Sequence, residues 1–308
     1  MNVGREHWFG TKPLIRRLLA MPGVNDVLLA SLRHLPPSPS LARIPVSRRE
    51  VVGRVRDLTY VLVRPERCSI ARELFWGRGR RVATDEQFSL ELFSDLALRA
   101  DVVLDIGANT GVFSLVATLA SPKAEVHAFE IVPEVYEVLF ENVVRNDVAR
   151  RVECHLFGIG AGGTFVRMPR VGASTLPTSF SSDTASVAGV SVAFRALDSY
   201  VDAFARHASV LIKIDVEGTE PAVFREGWQF IERFRPQILC EILRSSTTAP
   251  ALGEELKRRG YRLFNVTDDG LIEHQGLAPN PTQRDWLFTP HDPEALRRLT
   301  TVRVQGLA

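Results

Sequence analysis

The sequence predicts a doubly wound α/β fold, in which helices cover both faces of a mostly parallel sheet. Between residues 102 and 266, apolar strand-like runs alternate with segments of helical periodicity. Strands that alternate with helices of this length form parallel sheets, because each helix returns the chain to the same edge. Polar residues also follow directly after several of these strands, where open α/β sheets bind their ligands.

The order of elements follows from the same patterns. The predicted strands are 102–106, 125–130, 151–157, 209–216, 236–243 and 261–266. The predicted helices are 85–100, 110–120, 133–146, 220–234 and 251–260. Residues 285–290 supply the last, antiparallel strand, and residues 158–190, dense in Gly, Ser and Thr, form loops and short irregular strands.

Three regions are predicted along the chain. Residues 1–84 form an N-terminal extension with two amphipathic helices within residues 12–35 and a strand or hairpin at 51–65. The helices pack on the body of the protein or on a partner subunit, or contact an anionic membrane surface. Residues 85–290 form the main domain, and residues 291–308 form a tail with a surface helix.

Composition excludes several classes of protein. The 308 residues are 45% hydrophobic and carry a net charge of +2, so the chain lacks the basic excess typical of nucleic-acid partners. Cys68, Cys154 and Cys240 lie far apart, which argues against a disulfide framework and a zinc site. No signal-peptide pattern or run of ~20 apolar residues is present. We therefore expect a cytoplasmic protein, with a homo-oligomer left open.

The turn after the first strand and the end of the second form a candidate nucleotide site. The turn lies in VVLDIGANTG and contains Asp105, Gly107, Asn109 and Gly111. Glycines let the backbone pass close to a ligand, and the following helix offers free N–H groups to a carboxylate or phosphate. Glu130 ends the next strand, where a carboxylate accepts hydrogen bonds from a ribose diol. The turn does not match the G-x-G-x-x-G pattern of dinucleotide binding.

Several segments resemble the FkbM-type S-adenosylmethionine-dependent methyltransferases in order and spacing. They are VVLDIGANTGVFSL, AFEIVPEVYEVLFENVVRN, ALDSYV, LIKIDVEGTEPAVFREG and PQILCEIL. The run from Lys213 to Glu220 is a hallmark of the family, and the resemblance covers about residues 85–270. Ile131 departs from the family pattern, which has proline after the ribose-binding glutamate, so Pro133 is expected to start the helix instead.

The resemblance implies a Rossmann-like methyltransferase sheet and S-adenosylmethionine as cofactor. The turn from Gly107 to Gly111 would bind the carboxylate of the cofactor, Asp105 would lie near its ammonium group, and Glu130 would hold its ribose. Asn109 would hydrogen-bond the ligand or lock the turn. Adenine would lie near Ile131 and Phe157.

The implied reaction is methyl transfer to a hydroxyl, which needs a base or a metal because an unactivated hydroxyl holds its proton tightly at neutral pH. Asp215 is the first candidate for the reaction centre, followed by Glu217 and Glu241. A divalent ion at these carboxylates is conceivable, but no ligand cluster in the sequence compels it, and no metal is assigned. Lys213 is interpreted as a salt-bridged structural residue.

The acceptor is expected to be a small molecule or glycan, such as a sugar, a glycolipid or a polyketide. Residues 158–190 and the N-terminal extension are expected to shape its pocket. Two alternatives stay open. One is an NAD-dependent oxidoreductase, against which the missing second glycine argues. The other is a non-catalytic interaction domain, which the acidic residues at the strand ends make less attractive.

Overall fold

The structure is a computed structural model that describes residues 21, 23–31, 34, 38, 41–169 and 189–307. The first of the two predicted N-terminal helices and most of the segment 158–190 lie outside the described residues. The second N-terminal helix is present at Val24–Ser31. Within these limits, no helix combines the length and the apolar character that a membrane span requires.

A nine-stranded sheet forms the centre of the fold. The strands in chain order are β1 (Glu50–Val55), β2 (Leu58–Val63), β3 (Val102–Ile106), β4 (Glu125–Phe129), β5 (Val152–His155), β6 (Gly158–Ile159), β7 (Phe165–Pro169), β8 (Gly189–Arg195), β9 (Val210–Ile214), β10 (Gln237–Glu241), β11 (Arg262–Thr267), β12 (Gly270–His274), β13 (Asp285–Thr289) and β14 (Val304–Gln305). The central sheet has the order β14-β12-β11-β13-β10-β9-β3-β4-β5.

This order confirms the predicted doubly wound sheet. Strands β5, β4, β3, β9 and β10 pair in parallel, and β13 is inserted antiparallel between β10 and β11. The prediction of β13 as the last strand is wrong in one respect, because β14 follows it and pairs with β12 at the edge of the sheet. The C-terminal tail therefore contributes a strand as well as a helix. Strands β6, β8 and β7 form a separate small sheet.

Helices cover both faces of the central sheet. They are α1 (Val24–Ser31), α2 (Ser69–Trp76), α3 (Thr84–Ala97), α4 (Val112–Ala120), α5 (Pro133–Arg145), α6 (Glu220–Arg225), α7 (Trp228–Phe234), α8 (Ala249–Arg258) and α9 (Pro293–Arg297), with short 3-10 helices at Leu41–Arg43 and Leu197–Tyr200. Helix α5 begins at Pro133, as predicted, because proline needs no N–H partner in the first turn.

The prediction of a single helix over 220–234 is wrong, because the structure has two helices, α6 and α7, which are separated at Gly227. A Cβ on Gly227 would lie 2.7 Å from the carbonyl oxygen of Val223 and 2.8 Å from the side chain of Leu197. The new helix start is capped by Asp198, whose Oδ1 accepts a hydrogen bond from the N–H of Phe230 at 2.9 Å. The close packing at Gly227 thus marks the end of α6, and the carboxylate of Asp198, which is distant in sequence, caps the start of α7.

The hydrophobic core has two main parts, one on each face of the sheet. In β3, Val103 packs into one part and Leu104 into the other, since successive side chains of a strand point to opposite faces. The first part includes Tyr60 and Leu62 of the hairpin β1–β2, so it crosses the predicted boundary at residue 84. The hairpin therefore packs on the same core as the strands that carry the site.

Asn142 of α5 and Asn146, which directly follows this helix, attach the hairpin to the site. The Oδ1 of Asn142 accepts a hydrogen bond from the N–H of Val63 at 2.7 Å, and its Nδ2 donates to the carbonyl of Thr110 at 2.8 Å. Asn146 exchanges two hydrogen bonds with the backbone of Val61. The side chain of Asn142 is fully buried, so water cannot replace the hydrogen bonds that it makes.

Asn142→Ala is expected to lower the free energy of unfolding by about 2–5 kcal/mol, because it leaves a buried N–H and a buried carbonyl without partners. Urea unfolding followed by circular dichroism measures the effect. The control is Glu141→Ala, which removes a half-exposed ion pair with Arg64 from the next position of the helix and should cost less than about 1 kcal/mol. Equal losses in the two variants would contradict the role given to Asn142.

Candidate active site

The carboxyl ends of four neighbouring strands bring the predicted site residues to one edge of the sheet. Ile106 of β3 pairs with Ile214 of β9 and with Phe129 of β4, and Ile214 pairs with Cys240 of β10. The residues that follow these positions therefore lie side by side. The N–H of Asp215 donates to the carbonyl of Ile106 at 2.9 Å, which joins the chain after β9 to the end of β3.

The turn after β3 depends on three left-handed residues. Gly107 has φ 83°, Asn109 has φ 50° and Gly111 has φ 86°. Asparagine tolerates this region better than other residues with a Cβ, which explains how it stands at a position that would otherwise favour glycine. Its Oδ1 accepts a hydrogen bond from the N–H of Thr110 at 2.8 Å. Of the two roles predicted for Asn109, the structure therefore contains the contact that locks the turn.

The glycines of the turn are also required by neighbouring parts of the protein. A Cβ on Gly107 would lie 1.9 Å from the carbonyl oxygen of Asp215, and a Cβ on Gly111 would lie 2.5 Å from the side chain of Leu139. In the sequence, these glycines are expected to allow the close approach of a ligand. In the structure, the near neighbours of their Cβ positions are the chain after β9 and helix α5, so Gly107 sets the distance between the turn and Asp215.

Asp105 lies beneath the turn and is 1% exposed. Its Oδ2 accepts hydrogen bonds from the N–H and the hydroxyl of Ser114, at 2.9 and 2.6 Å. Burial raises the pKa of Asp105 to about 6, against the effect of these hydrogen bonds. The predicted place beside a ligand ammonium group stays a prediction, whereas the observed contacts make Asp105 a residue that fixes the first turn of α4.

Glu130 connects the end of β4 to the turn, as its predicted position requires. Its Oε2 accepts a hydrogen bond from the N–H of Asn109 at 2.9 Å, and its Oε1 accepts from the N–H groups of Ile131 and Val132, both at 2.8 Å. Burial raises the pKa of Glu130 to about 7. Because a carboxylate oxygen accepts two hydrogen bonds, Oε2 retains the capacity to accept one from a ligand hydroxyl.

An apolar wall lies beside Glu130. Ile131 and Phe157 pack in one small cluster with Val132 and Val135, so the two residues predicted around an adenine ring lie in the same cluster. The guanidinium of Arg195 lies 4.1 Å from the centre of the Phe157 ring. Arg195 could not be predicted from the sequence, because it lies on β8, in a segment without a motif.

Three predicted catalytic carboxylates converge at the ends of β9 and β10. Oxygen atoms of Asp215, Glu217 and Glu241 all lie within 4.8 Å of one another. Glu217 has φ 52°, a conformation that is uncommon for a residue with a side chain and concentrates at functional sites. Sequence spacing alone could not bring these carboxylates together, because Glu241 lies on a different strand. In the structure they lie close enough to be candidate ligands of a metal ion.

Burial and like charge shape the chemistry of this cluster. Glu241 is 8% exposed, and its Oε1 is paired with Arg284 at 2.9 Å. Burial, followed by the charge of Asp215, raises the pKa of both Glu217 and Glu241 above the usual range of a glutamate. Buried carboxylates that crowd together in this way favour either a proton or a cation between them.

Lys213 supplies a buried cation beneath the cluster. Its Nζ lies 3.1 Å from Asp285 and 3.7 Å from Asp215, and the residue is 2% exposed. Burial alone would lower the pKa of Lys213, but the charges of Asp285, Asp215 and Glu241 outweigh it and raise the pKa. The predicted structural salt bridge of Lys213 is therefore present. Its main partner was missed, because Asp285 comes from an antiparallel strand far along the chain.

Residues 105–263 match the Methyltransferase FkbM domain. The chain belongs to the FkbM methyltransferase family. The matched residues run from β3 to β11 and include every predicted site residue. Arg284 and Asp285, which pair with Glu241 and Lys213, lie outside the match.

One curated protein and two solved structures are similar to the chain over different shares of its length. Fifty-three residues are 51% identical to the 31-O-demethyl-FK506 methyltransferase FkbM of Streptomyces tacrolimicus, which covers 17% of this chain and 20% of that protein. The structure of Methyltransferase FkbM from Methylobacillus flagellatus KT is similar with a TM-score of 0.41 and 15% identity, over 84% of this chain and 60% of that one. M. jannaschii TYW2, solved in complex with AdoMet, has a TM-score of 0.38 and 12% identity, over 78% and 84%. The chain thus spans less than two thirds of the first two FkbM relatives.

Lys213→Met is expected to lower the free energy of unfolding by about 3–5 kcal/mol at pH 7, because it leaves Asp285 buried without its cation. In the natural protein, burial alone would raise the pKa of Asp285, but Lys213, Ser89 and Arg284 together outweigh it and lower the pKa. Without Lys213 that pKa rises above its unfolded value, so the variant gains relative stability as the pH falls. Urea unfolding should therefore give a smaller loss near pH 4 than at about pH 7.

The control for this variant is Lys123→Met. Lys123 pairs with Asp101 at 2.7 Å, but both side chains are about half exposed. Its loss should stay below about 1 kcal/mol. A loss in Lys213→Met that is equally small, or that grows at low pH, would contradict the buried-pair interpretation.

Proposed function

We propose that the protein transfers a methyl group from S-adenosylmethionine to a hydroxyl oxygen of a small molecule or glycan, such as a sugar, a glycolipid or a polyketide. The observation that carries the proposal is the convergence of three carboxylates, Asp215, Glu217 and Glu241, beside the turn after β3. One edge of the sheet thus offers a site for a nucleoside-bearing donor and, next to it, groups that can assist loss of a hydroxyl proton.

The donor would lie along the ends of β3 and β4. The N–H groups at the start of α4 suit its carboxylate, and Oε2 of Glu130 suits a ribose hydroxyl. Ile131 and Phe157 would cover the adenine. Asp105 would contribute indirectly, because its hydrogen bonds to Ser114 hold the start of α4 in place.

The acceptor hydroxyl would lie at the carboxylate cluster. The side chain of Asp215 is 37% exposed, whereas that of Glu241 is 10% exposed, so Asp215 is the more accessible group. Its Oδ2 lies 3.7 Å from the ammonium of Lys213, which fixes its position. In the reaction the acceptor oxygen gains the methyl group as the donor sulfur loses it, and the hydroxyl proton passes to the carboxylate.

The domain organisation belongs to the same proposal. Residues 85–290 would form the catalytic domain, and the N-terminal extension, together with the segment 158–190, would shape the acceptor pocket. Support comes from the hairpin β1–β2, which is joined through Asn142 to the turn at Thr110. Membership of the FkbM family argues against an NAD-dependent oxidoreductase.

Isothermal titration with S-adenosylmethionine, S-adenosylhomocysteine and NAD tests the donor. The natural protein should bind both adenosyl ligands and not NAD. Glu130→Ala should weaken binding by about 1.5–3 kcal/mol, which is roughly 10- to 150-fold, because it removes a charged hydrogen-bond acceptor. The control Glu137→Ala changes an exposed residue of the following helix and should leave the affinity unchanged.

The pKa of Glu130 adds a pH dependence to the same test. Since burial raises this pKa to about 7, the carboxylate gains a proton as the pH falls below that value. Affinity of the natural protein should then decrease by up to about tenfold per pH unit, whereas Glu130→Ala should lose this dependence. Binding of NAD alone, or an unaltered affinity in Glu130→Ala, would overturn the donor assignment.

Methyl-labelled S-adenosylmethionine and a panel of hydroxyl compounds test the acceptor side. On an acceptor found in this way, the label should appear on oxygen, and Asp215→Asn should lower turnover about 100-fold or more with donor affinity within about twofold. Asp202→Asn, at an exposed position paired with Arg233, serves as the control. Unchanged turnover in Asp215→Asn would remove this residue from the mechanism.

A further inference from the structure

We propose that Asp215, Glu217 and Glu241 bind one divalent cation of the Mg²⁺ or Mn²⁺ class. Their ligand atoms lie within 4.8 Å of one another. Two oxygens on opposite sides of a cation that takes oxygen ligands at 2.0–2.6 Å are about 4–5 Å apart. The three side chains can therefore reach a common ion with small rotations. Its role beside the acceptor rests on the proposed function, whereas its binding does not.

Two oxygens of the cluster have no hydrogen-bond partner. They are Oε2 of Glu217 and Oε2 of Glu241, and both are buried from solvent. The side chain of Glu241 is nine-tenths buried, with Oε1 held by Arg284 and Oε2 left over. Buried carboxylate oxygens are almost always paired in proteins, and a cation would satisfy both of these at once.

The charges around the cluster leave room for a divalent ion. The connected groups contain the three cluster carboxylates and Asp285, against the two cations Lys213 and Arg284. This network therefore carries two uncompensated negative charges when all its groups are ionised. Lys213 pairs with Asp285 at 3.1 Å and with Asp215 at 3.7 Å, so two carboxylates already share its single charge.

The ligand type and the backbone point to the same class of ion. All three ligands are carboxylates, which suit hard cations such as Mg²⁺ and Mn²⁺ better than copper or zinc. Glu217 and Gly218 both have a positive φ, at 52° and 102°, a conformation that is uncommon for a residue with a side chain such as Glu217. A cation here would withdraw electrons from an acceptor hydroxyl and lower its pKa, which adds to proton removal by a carboxylate.

Titration of the full-length protein with Mn²⁺ alone, followed by electron paramagnetic resonance, tests the site without donor or acceptor. One bound Mn²⁺ per chain is expected, displaced by excess Mg²⁺. Glu241→Gln and Glu217→Gln should each weaken Mn²⁺ binding at least tenfold. The matched control is Glu273→Gln. Glu273 is a buried glutamate of β12 that pairs with Arg262 of β11. This variant should bind Mn²⁺ as the natural protein does.

Two results would overturn the cation site: no Mn²⁺ bound by the natural protein at millimolar concentration, or equal binding by the natural protein and Glu217→Gln. Glu217 lies in a turn, so this variant keeps the test valid if Glu241→Gln does not fold. Titration of the same preparation with S-adenosylmethionine separates the two proposals. Mn²⁺ binding without donor binding would support the cation site and contradict the proposed function, and donor binding without Mn²⁺ binding would do the reverse.

Discussion

The candidate site depends on one buried interaction, the ion pair between Lys213 and Asp285. The ammonium group of Lys213, a residue of β9, lies 3.1 Å from Asp285 of β13 and 3.7 Å from Asp215, with the ring of Phe113 at 5.1 Å. A lone charge at this depth would be strongly unfavourable, so the pair with Asp285 must form with the sheet itself. The antiparallel insertion of β13 beside β10 is what brings the required carboxylate there.

The same constraint explains the arrangement of the donor side. Asp215 is bound by its N–H to the end of β3, and its carbonyl leaves no space for a side chain at Gly107. The turn after β3 is thus packed against the chain that carries the candidate catalytic carboxylates. Glu130 holds the other side of that turn through the N–H of Asn109. The groups proposed to bind the donor and the acceptor are therefore parts of one packed unit, in which a shift of either strand end would move both.

The sequence predicted the local parts of this unit well, because they repeat with the period of strands and helices or follow a strand directly. Asp105, Asn109 and Glu130 lie where the pattern placed them, and Asn109 is explained by its positive φ. Asp285 and Arg284 could not be predicted, since their relation to the site depends on a strand inserted out of chain order. The break between α6 and α7 was missed for a similar reason. Gly227 is forced by contact with Leu197, and that contact is visible only after folding.

The acidic groups of the site differ in how completely their oxygens are paired, which indicates that they have different roles. Asp285 is fully committed, with Lys213 on one oxygen and the hydroxyl of Ser89 on the other at 2.5 Å. Glu241 is committed on one oxygen only, and Glu217 has a buried oxygen with no partner. A fold that needed these charges only for stability would pair them as completely as Asp285, because an unpaired buried carboxylate oxygen is costly. Oε2 of Glu217 and Oε2 of Glu241 are therefore the oxygens that would bind the proposed cation.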